Sequence, residues 1–186
     1  MNFFAVIDTE TNWHNEVMSI GAVIAERDTF KKVDDLYFVF DPEYTVGGMF
    51  SYVLPVNGRK TKEIYLSRNK SMEKIKATFE KYQVKNLFAY NASFDKRLLN
   101  ELVSYEWFDI MKIAANKQYN DKIPDNVECW RTGRMKRNYN ANAMMQLLSG
   151  ICDYAEVHNA LYDAADELEI MKLIGKSLDI YECAKI

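Results

Sequence analysis

Residues 3–13 read FFAVIDTETNW, and the fold turns on how this stretch is read. Positions 3–7 are an unbroken apolar run rich in β-formers, the pattern of a central strand buried on both faces. The run stops at two carboxylates, Asp8 and Glu10. Positions i and i+2 of a strand point to the same face, about 6–7 Å apart along the chain. Like charges this close repel unless something positive lies between them. Hard carboxylate oxygens at a strand end select magnesium, manganese or calcium. A D-x-E pair also arises by chance, so the reading needs partners from elsewhere in the chain.

Working outward, VMSIGAVIA (17–25) and LYFVF (36–40) read as two more strands. The links between these three are short, which makes them antiparallel neighbours. Pro42, Gly47, Gly48, Pro55, Asn57 and Gly58 punctuate residues 41–69, a stretch expected to be mostly loop with a helical turn. Met72, Ile75, Phe79 and Tyr82 recur at helical spacing and predict a helix over 71–82, capped by Ser71. A strand at 87–90 follows. Ser93 is placed to cap a helix running to about 105, with Phe94, Leu98 and Leu102 on one apolar stripe. A short strand at 107–110 and helices at 140–148 and 162–176 complete the pattern, the last turning Leu168, Met171 and Ile174 inward. Three strands, then alternating helix and strand, then helices argue an α/β class with a mixed sheet covered by helices. No repeat, low-complexity tract or Pro/Gly/Ser linker divides the chain, so residues 1–186 are expected to form a single domain.

The composition bounds the function. Hydrophobic residues make up 48% and charged residues 27% of the 186 positions, the balance of an ordinary globular protein. The net charge of −3 projects no basic field toward nucleic acid. Cys129, Cys152 and Cys183 lie far apart without CxxC spacing, which implies a reducing compartment and no disulfide frame. The N-terminal apolar run is short and no basic segment precedes it, so it is not a secretory signal. Nothing approaches membrane-spanning length. The expected location is cytoplasmic.

Two later segments strengthen the carboxylate pair. In FAYNASFDKRLL (88–99), Asp95 follows a short strand and falls in the first turn of a helix, where the helix dipole favours an acid. In EVHNALYDAADELEIMKLI (156–174), His158 precedes Asp163 by five residues. Five residues of regular helix rotate by about 140°, so the two share one point only if His158 lies on the loop before the helix and Asp163 in its first turn.

The three segments, in this order, resemble the three motifs of the DnaQ-like 3′–5′ exonucleases, the histidine (DEDDh) branch of the DEDD superfamily. IDTET is similar to motif I, YNASFDKRLL to motif II with Asn91 ahead of Asp95, and HNALYDA to motif III of the H-x4-D type. SIGAV at 19–23 matches the family's second-strand pattern, and the resemblance runs from about residue 3 to 174. It implies a ribonuclease H-like fold with a central mixed five-stranded sheet flanked by helices. It implies catalytic residues Asp8, Glu10, Asp95, His158 and Asp163, the four acids also being ligands of two divalent metal ions, Mg2+ or Mn2+. Asp8 would bridge the ions, Glu10 and Asp163 would hold the first, and Asp95 would support the second. His158 would be the general base; an imidazole of ordinary pKa, about 6.5, suits that task at neutral pH. The activity implied is hydrolysis of phosphodiester bonds at the 3′ end of single-stranded DNA or RNA, releasing nucleoside 5′-monophosphates.

The chain departs from the family pattern where Thr11, Asn12 and Trp13 replace Thr-Thr-Gly, and where Tyr90 stands in place of a histidine. Thr11, Asn12, Trp13 and Asn91 are expected to line the terminal-nucleotide pocket. Trp13 and Phe94 are candidates for stacking on a base, although Phe94 also fits a core stripe. Without the four site acids the remaining residues carry +1, and Arg131, Arg134, Lys136 and Arg137 form a run free of acids that suits phosphates or a solvated loop. His14 has no motif around it and is read as a surface residue. GKS at 175–177 lacks the glycine and the strand of a phosphate-binding loop, and NAS at 91–93 is a glycosylation sequon without a secretory context. Two alternatives stand beside the free-standing enzyme: a proofreading-type subunit of a larger assembly, and a module that binds nucleic acid without cutting it. Many members of the family are dimers, so a homodimer is compatible with the resemblance, but no interface signal is legible.

Overall fold

The structure is a computed structural model that describes residues 3–186. Six strands form one mixed sheet: β1 (Phe3–Thr11), β2 (Val17–Glu26), β3 (Lys32–Phe40), β4 (Tyr65–Leu66), β5 (Asn86–Ala89) and β6 (Glu106–Asp109). Their order across the sheet is β4-β3-β2-β1-β5-β6. As the short links require, β1–β2 and β2–β3 pair antiparallel. β5 lies parallel to β1 and β6 parallel to β5. The expected class holds, and the sheet gains a sixth strand over the expected five. β4 is two residues long and pairs in parallel with the end of β3. It lies inside the stretch expected to be loop, because two residues are too few to show a period.

The helices are α1 (Thr61–Ile64), α2 (Arg68–Lys81), α3 (Ser93–Leu98), α4 (Ile110–Ala114), α5 (Ala141–Ser149) and α6 (Ala160–Ile174). The alternation of β1 sorts them into two layers. Ala5 and Ile7 join Met72, Ile75 and Phe79 of α2 in one core. Phe4 and Val6 join Ala160, Ala164, Leu168, Met171 and Ile174 of α6 in the other. Asp8 and Glu10 continue the second set, so they emerge on the α6 side.

α4 has no counterpart among the expected helices, α6 runs two residues earlier than the expected 162–176, and two helix boundaries differ by more than two residues. α2 begins at Arg68 rather than at Ser71, because its first turn, residues 68–70, is polar and adds nothing to the apolar period. Ser71 is buried inside the helix instead of capping it. α3 stops at Leu98, and residues 100–102 form a 3₁₀ turn. Leu99 and Leu102 are pulled into the core there, and the Trp107 indole donates to the Leu102 carbonyl at 3.0 Å. Phe94 therefore leaves the core stripe expected of it and is 37% exposed.

One glycine sets how closely α6 can approach the sheet. A Cβ on Gly21 of β2 would lie 2.1 Å from the Ala160 carbonyl oxygen, so only hydrogen permits this packing. No described helix is long and apolar enough to cross a membrane.

Candidate active site

The site lies beyond the carboxyl ends of the parallel strands β1 and β5, where open α/β sheets place their ligands. β1 supplies Asp8 and Glu10. The turn after β5 leads into α3, whose first turn carries Asp95. α6 begins after Asn159, whose side chain caps it by accepting from Leu161 N–H, and Asp163 falls in its first turn. His158 sits just before that cap with φ +58. The expected division, histidine on the loop and acid on the helix, is what the backbone shows.

Glu10, His158 and Asp163 bring one ligand atom each to within 4.8 Å of one another. Asp8 is within electrostatic reach of Asp95, Asp163 and Glu10, all of which push its carboxyl up; desolvation is the larger cause. Asp95 comes from the other side of β1, and its Oδ1 accepts the Thr9 hydroxyl at 2.7 Å. Burial raises Asp95 to about 7 despite that bond. Burial, then the charges of Glu156 and Asp166, raises Asp163 to about 7. Burial, then Asp163 and Glu156, raises Glu10 to about 8. Oδ2 of Asp8 and Oδ1 of Asp163 are buried with no hydrogen-bond partner. Crowded, desolvated carboxylates with orphaned oxygens fit hard divalent cations, which supply the missing partners and the missing positive charge.

Two residues of the site escape the sequence reading. Glu167, only 4% exposed, lies one helical turn beyond Asp163 on the same face of α6. Its carboxylate accepts the Tyr90 N–H at 3.0 Å, tying α6 to the turn that leads to Asp95. It is also the largest charge acting on Asp8 and is itself raised well above the usual carboxylate range, mainly by desolvation. The spacing of four from Asp163, amid apolar Ala164, Leu168 and Met171, is the legible signal. Phe50 stacks on the His158 ring, with centroids 4.0 Å apart and planes at 15°. It comes from a loop far away in sequence, and nothing in the chain announces it.

The remaining candidates divide. Trp13 is 64% exposed beside the end of β1, and Asn91 is exposed in the turn before α3 with φ +63. Thr11 is half-buried. Phe94 lies under the Arg97 guanidinium, 5.4 Å from the ring centroid. Asn12 is not available to a ligand: it is 4% exposed, and its amide is spent on the β1–β2 turn. Its nitrogen donates to Glu16 and to the Glu43 carbonyl, and its oxygen accepts from His14 and Glu16 N–H. Arg131, Arg134, Lys136 and Arg137 all reach solvent, as does His14.

No family model matches the sequence, and no curated protein matches it significantly. Solved structures do. A 3′-exonuclease studied for recognition of the 3′ end of the histone mRNA stem-loop aligns at TM-score 0.65 and 14% identity over 93% of this chain. Exonuclease X, in complex with 5′-overhanging duplex DNA, aligns at TM-score 0.56 and 21% identity over 96% of each chain. The nuclease domain of 3′hExo, a DEDDh family member bound to rAMP, aligns at TM-score 0.61 and 15% identity, covering 91% of this chain and 90% of that one. The chain shares the fold of these 3′-exonuclease structures. The chain spans 63% of the length of the first of these structures. Within the exonuclease fold, the motif residues read from the sequence fall where β1, the β5–α3 turn and the start of α6 converge.

Proposed function

We propose that the protein is a metal-dependent 3′–5′ exonuclease that removes nucleoside 5′-monophosphates from the 3′ ends of single-stranded DNA or RNA. One observation carries the reading: Asp8, Glu10, Asp95, Asp163 and His158 converge with unpartnered buried oxygens at the carboxyl end of a parallel strand pair. Four carboxylates of β1, α3 and α6 crowd together with orphaned oxygens, an arrangement suited to two Mg2+ or Mn2+ ions.

When bound, such ions lower the pKa of an attacking water and offset charge on the phosphorane and the leaving oxygen. Asp8, Glu10, Asp95 and Asp163 would hold such ions, and the unpartnered oxygens of Asp8 and Asp163 would gain in them the partner they lack. The His158 imidazole, oriented by the Phe50 stack, takes the proton from the attacking water through a ring nitrogen. Trp13 and Phe94 offer apolar faces for the terminal base, with Thr11 and Asn91 beside them. Asn12 serves this pocket indirectly, by holding the turn that presents Trp13. Three cysteines without metal spacing accord with a cytoplasmic enzyme.

The test is hydrolysis of 5′-labelled single-stranded DNA and RNA with Mg2+, Mn2+ or EDTA. Stepwise shortening from the 3′ end is expected with either ion, none with EDTA, and none for Asp8→Ala or Asp163→Ala. Binding of these strands with no metal-dependent shortening of any of them overturns the enzyme reading.

A further inference from the structure

The four bases at 131–137 sit on a built element, not a loose loop. Cys129 and Met135 pair across an antiparallel bridge, Trp130 N–H donates to the Arg134 carbonyl at 2.7 Å, and Lys136 N–H to the Glu128 carbonyl at 3.0 Å. Gly133, at φ +83, closes the turn. The hairpin is fastened to the end of α4: Met135 N–H donates to the Ala115 carbonyl at 2.9 Å, and Lys117 N–H to the Gly133 carbonyl at 3.0 Å. Met135 is buried beneath it.

On this rigid mount Trp130 is 60% exposed, with the Lys136 ammonium 5.4 Å from its ring centroid. Arg131, Arg134, Lys136 and Arg137 are exposed on the same hairpin. Its one acid, Glu128, lies 3.9 Å from Arg137, an exposed pair that leaves the element net basic, and residues 129–152 contain no acid. A groove of about 500 Å³ runs from Asn91, beside the site, past Asn116 to Thr132 and Arg134 of the hairpin. Asp109 also lines it, but it is 3% exposed and its Oδ1 accepts Met111 and Asn91 N–H. Arg134 lies 5.1 Å over the Tyr139 ring, and the Tyr139 carbonyl accepts the hydroxyl of Tyr90, the residue before Asn91. The hairpin is therefore anchored to the same turn that presents Asp95.

We propose that this hairpin is an arm that holds single-stranded nucleic acid upstream of the 3′ end, with Trp130 stacking on a base and the four cations meeting phosphates. The proposal rests on the exonuclease reading. An exposed indole accepts any unpaired base, and a cationic surround matches the backbone of either DNA or RNA. Duplex bases, already stacked, offer the indole no free face.

The test uses Asp8→Asn protein, which is not expected to cut, and measures the anisotropy of fluorescein-labelled dT12 and rU12. Trp130→Ala should weaken binding about tenfold. Arg131→Ala with Lys136→Ala should flatten the plot of log affinity against log salt by about 0.7 for each phosphate no longer neutralised. With otherwise wild-type protein, the ratio of kcat/KM on dT12 to that on dT2 should fall about tenfold in Trp130→Ala. Unchanged affinity and slope overturn the proposal. An equal loss on dT2 and dT12, or equal dependence on Trp130 for a duplex 12-mer, also overturns it. If the wild-type protein cuts nothing, the exonuclease reading fails, and the binding arms of the experiment still decide whether the hairpin is a single-strand surface.

Discussion

The metal-free protein should lose stability as pH rises through neutrality, the reverse of what ordinary carboxylates do. Asp95 and Asp163 each titrate at about 7 in the fold, against about 3.9 in an unfolded chain. Between those values the folded state binds protons that the unfolded state has released, so each rise in pH favours unfolding. The stabilisation is complete below about pH 4 and vanishes above the folded pKa. From pH 5 to pH 9 a single acid titrating at 7 gives up about 3 kcal/mol, taking 1.36 kcal/mol per unit. Glu10, raised to about 8, extends the loss to higher pH. For a chain of this size about 3 kcal/mol corresponds to roughly 6–12 °C in Tm. The assay is thermal unfolding in EDTA from pH 5 to pH 9, repeated with saturating Mg2+ or Mn2+. Divalent ions hold the carboxylates ionised and should flatten the profile, and calorimetry at pH 7 should detect protons released on binding. A melting temperature in EDTA that is level or climbs between pH 6 and pH 9 would refute the claim that these acids are desolvated and mutually repelling.

Other substitutions probe separate parts of the site. His158→Ala should lower kcat by about 10²–10⁴ while metal-dependent stabilisation persists, and Phe50→Ala should lower it about two- to tenfold by removing the stack; both are read by steady-state kinetics. Glu167→Gln keeps an acceptor for Tyr90 N–H, whereas Glu167→Leu strands that group, so urea unfolding should find the Leu variant about 1–3 kcal/mol less stable than the Gln variant. Gly21→Ala forces α6 away from β2 and should cost about 3 kcal/mol or more in the same measurement.

Local pattern makes much of this molecule legible. The apolar run ending in Asp8 and Glu10, the strand entering FDKRLL and the histidine five residues before Asp163 each have a short-range signature, and each lies where expected. The failures share a cause. Residues 68–70, all polar, carry no period, so the first turn of α2 is invisible in the sequence. The stripe expected to hold Phe94 belongs to a helix that the burial of Leu99 cuts short. Asn12 reads as a pocket residue because hydrogen bonds to Glu43, 31 positions away, leave no trace in local sequence. Phe50 meets His158 across more than a hundred positions, a contact only the tertiary fold creates. Glu167 differs, since helical spacing from Asp163 makes it visible, yet the same spacing suits an ordinary helix acid.

The two-sidedness of β1 has a consequence for how this gene product can change over time. Asp8 and Glu10 face α6, while Ile7 faces the oily layer against α2. Deleting a single codon within the strand would invert that assignment, sinking both carboxylates into hydrocarbon and turning aliphatic side chains toward the space the carboxylates now occupy. Lineages descending from such a protein should accept no insertion or deletion between the first paired residue of the strand and Glu10.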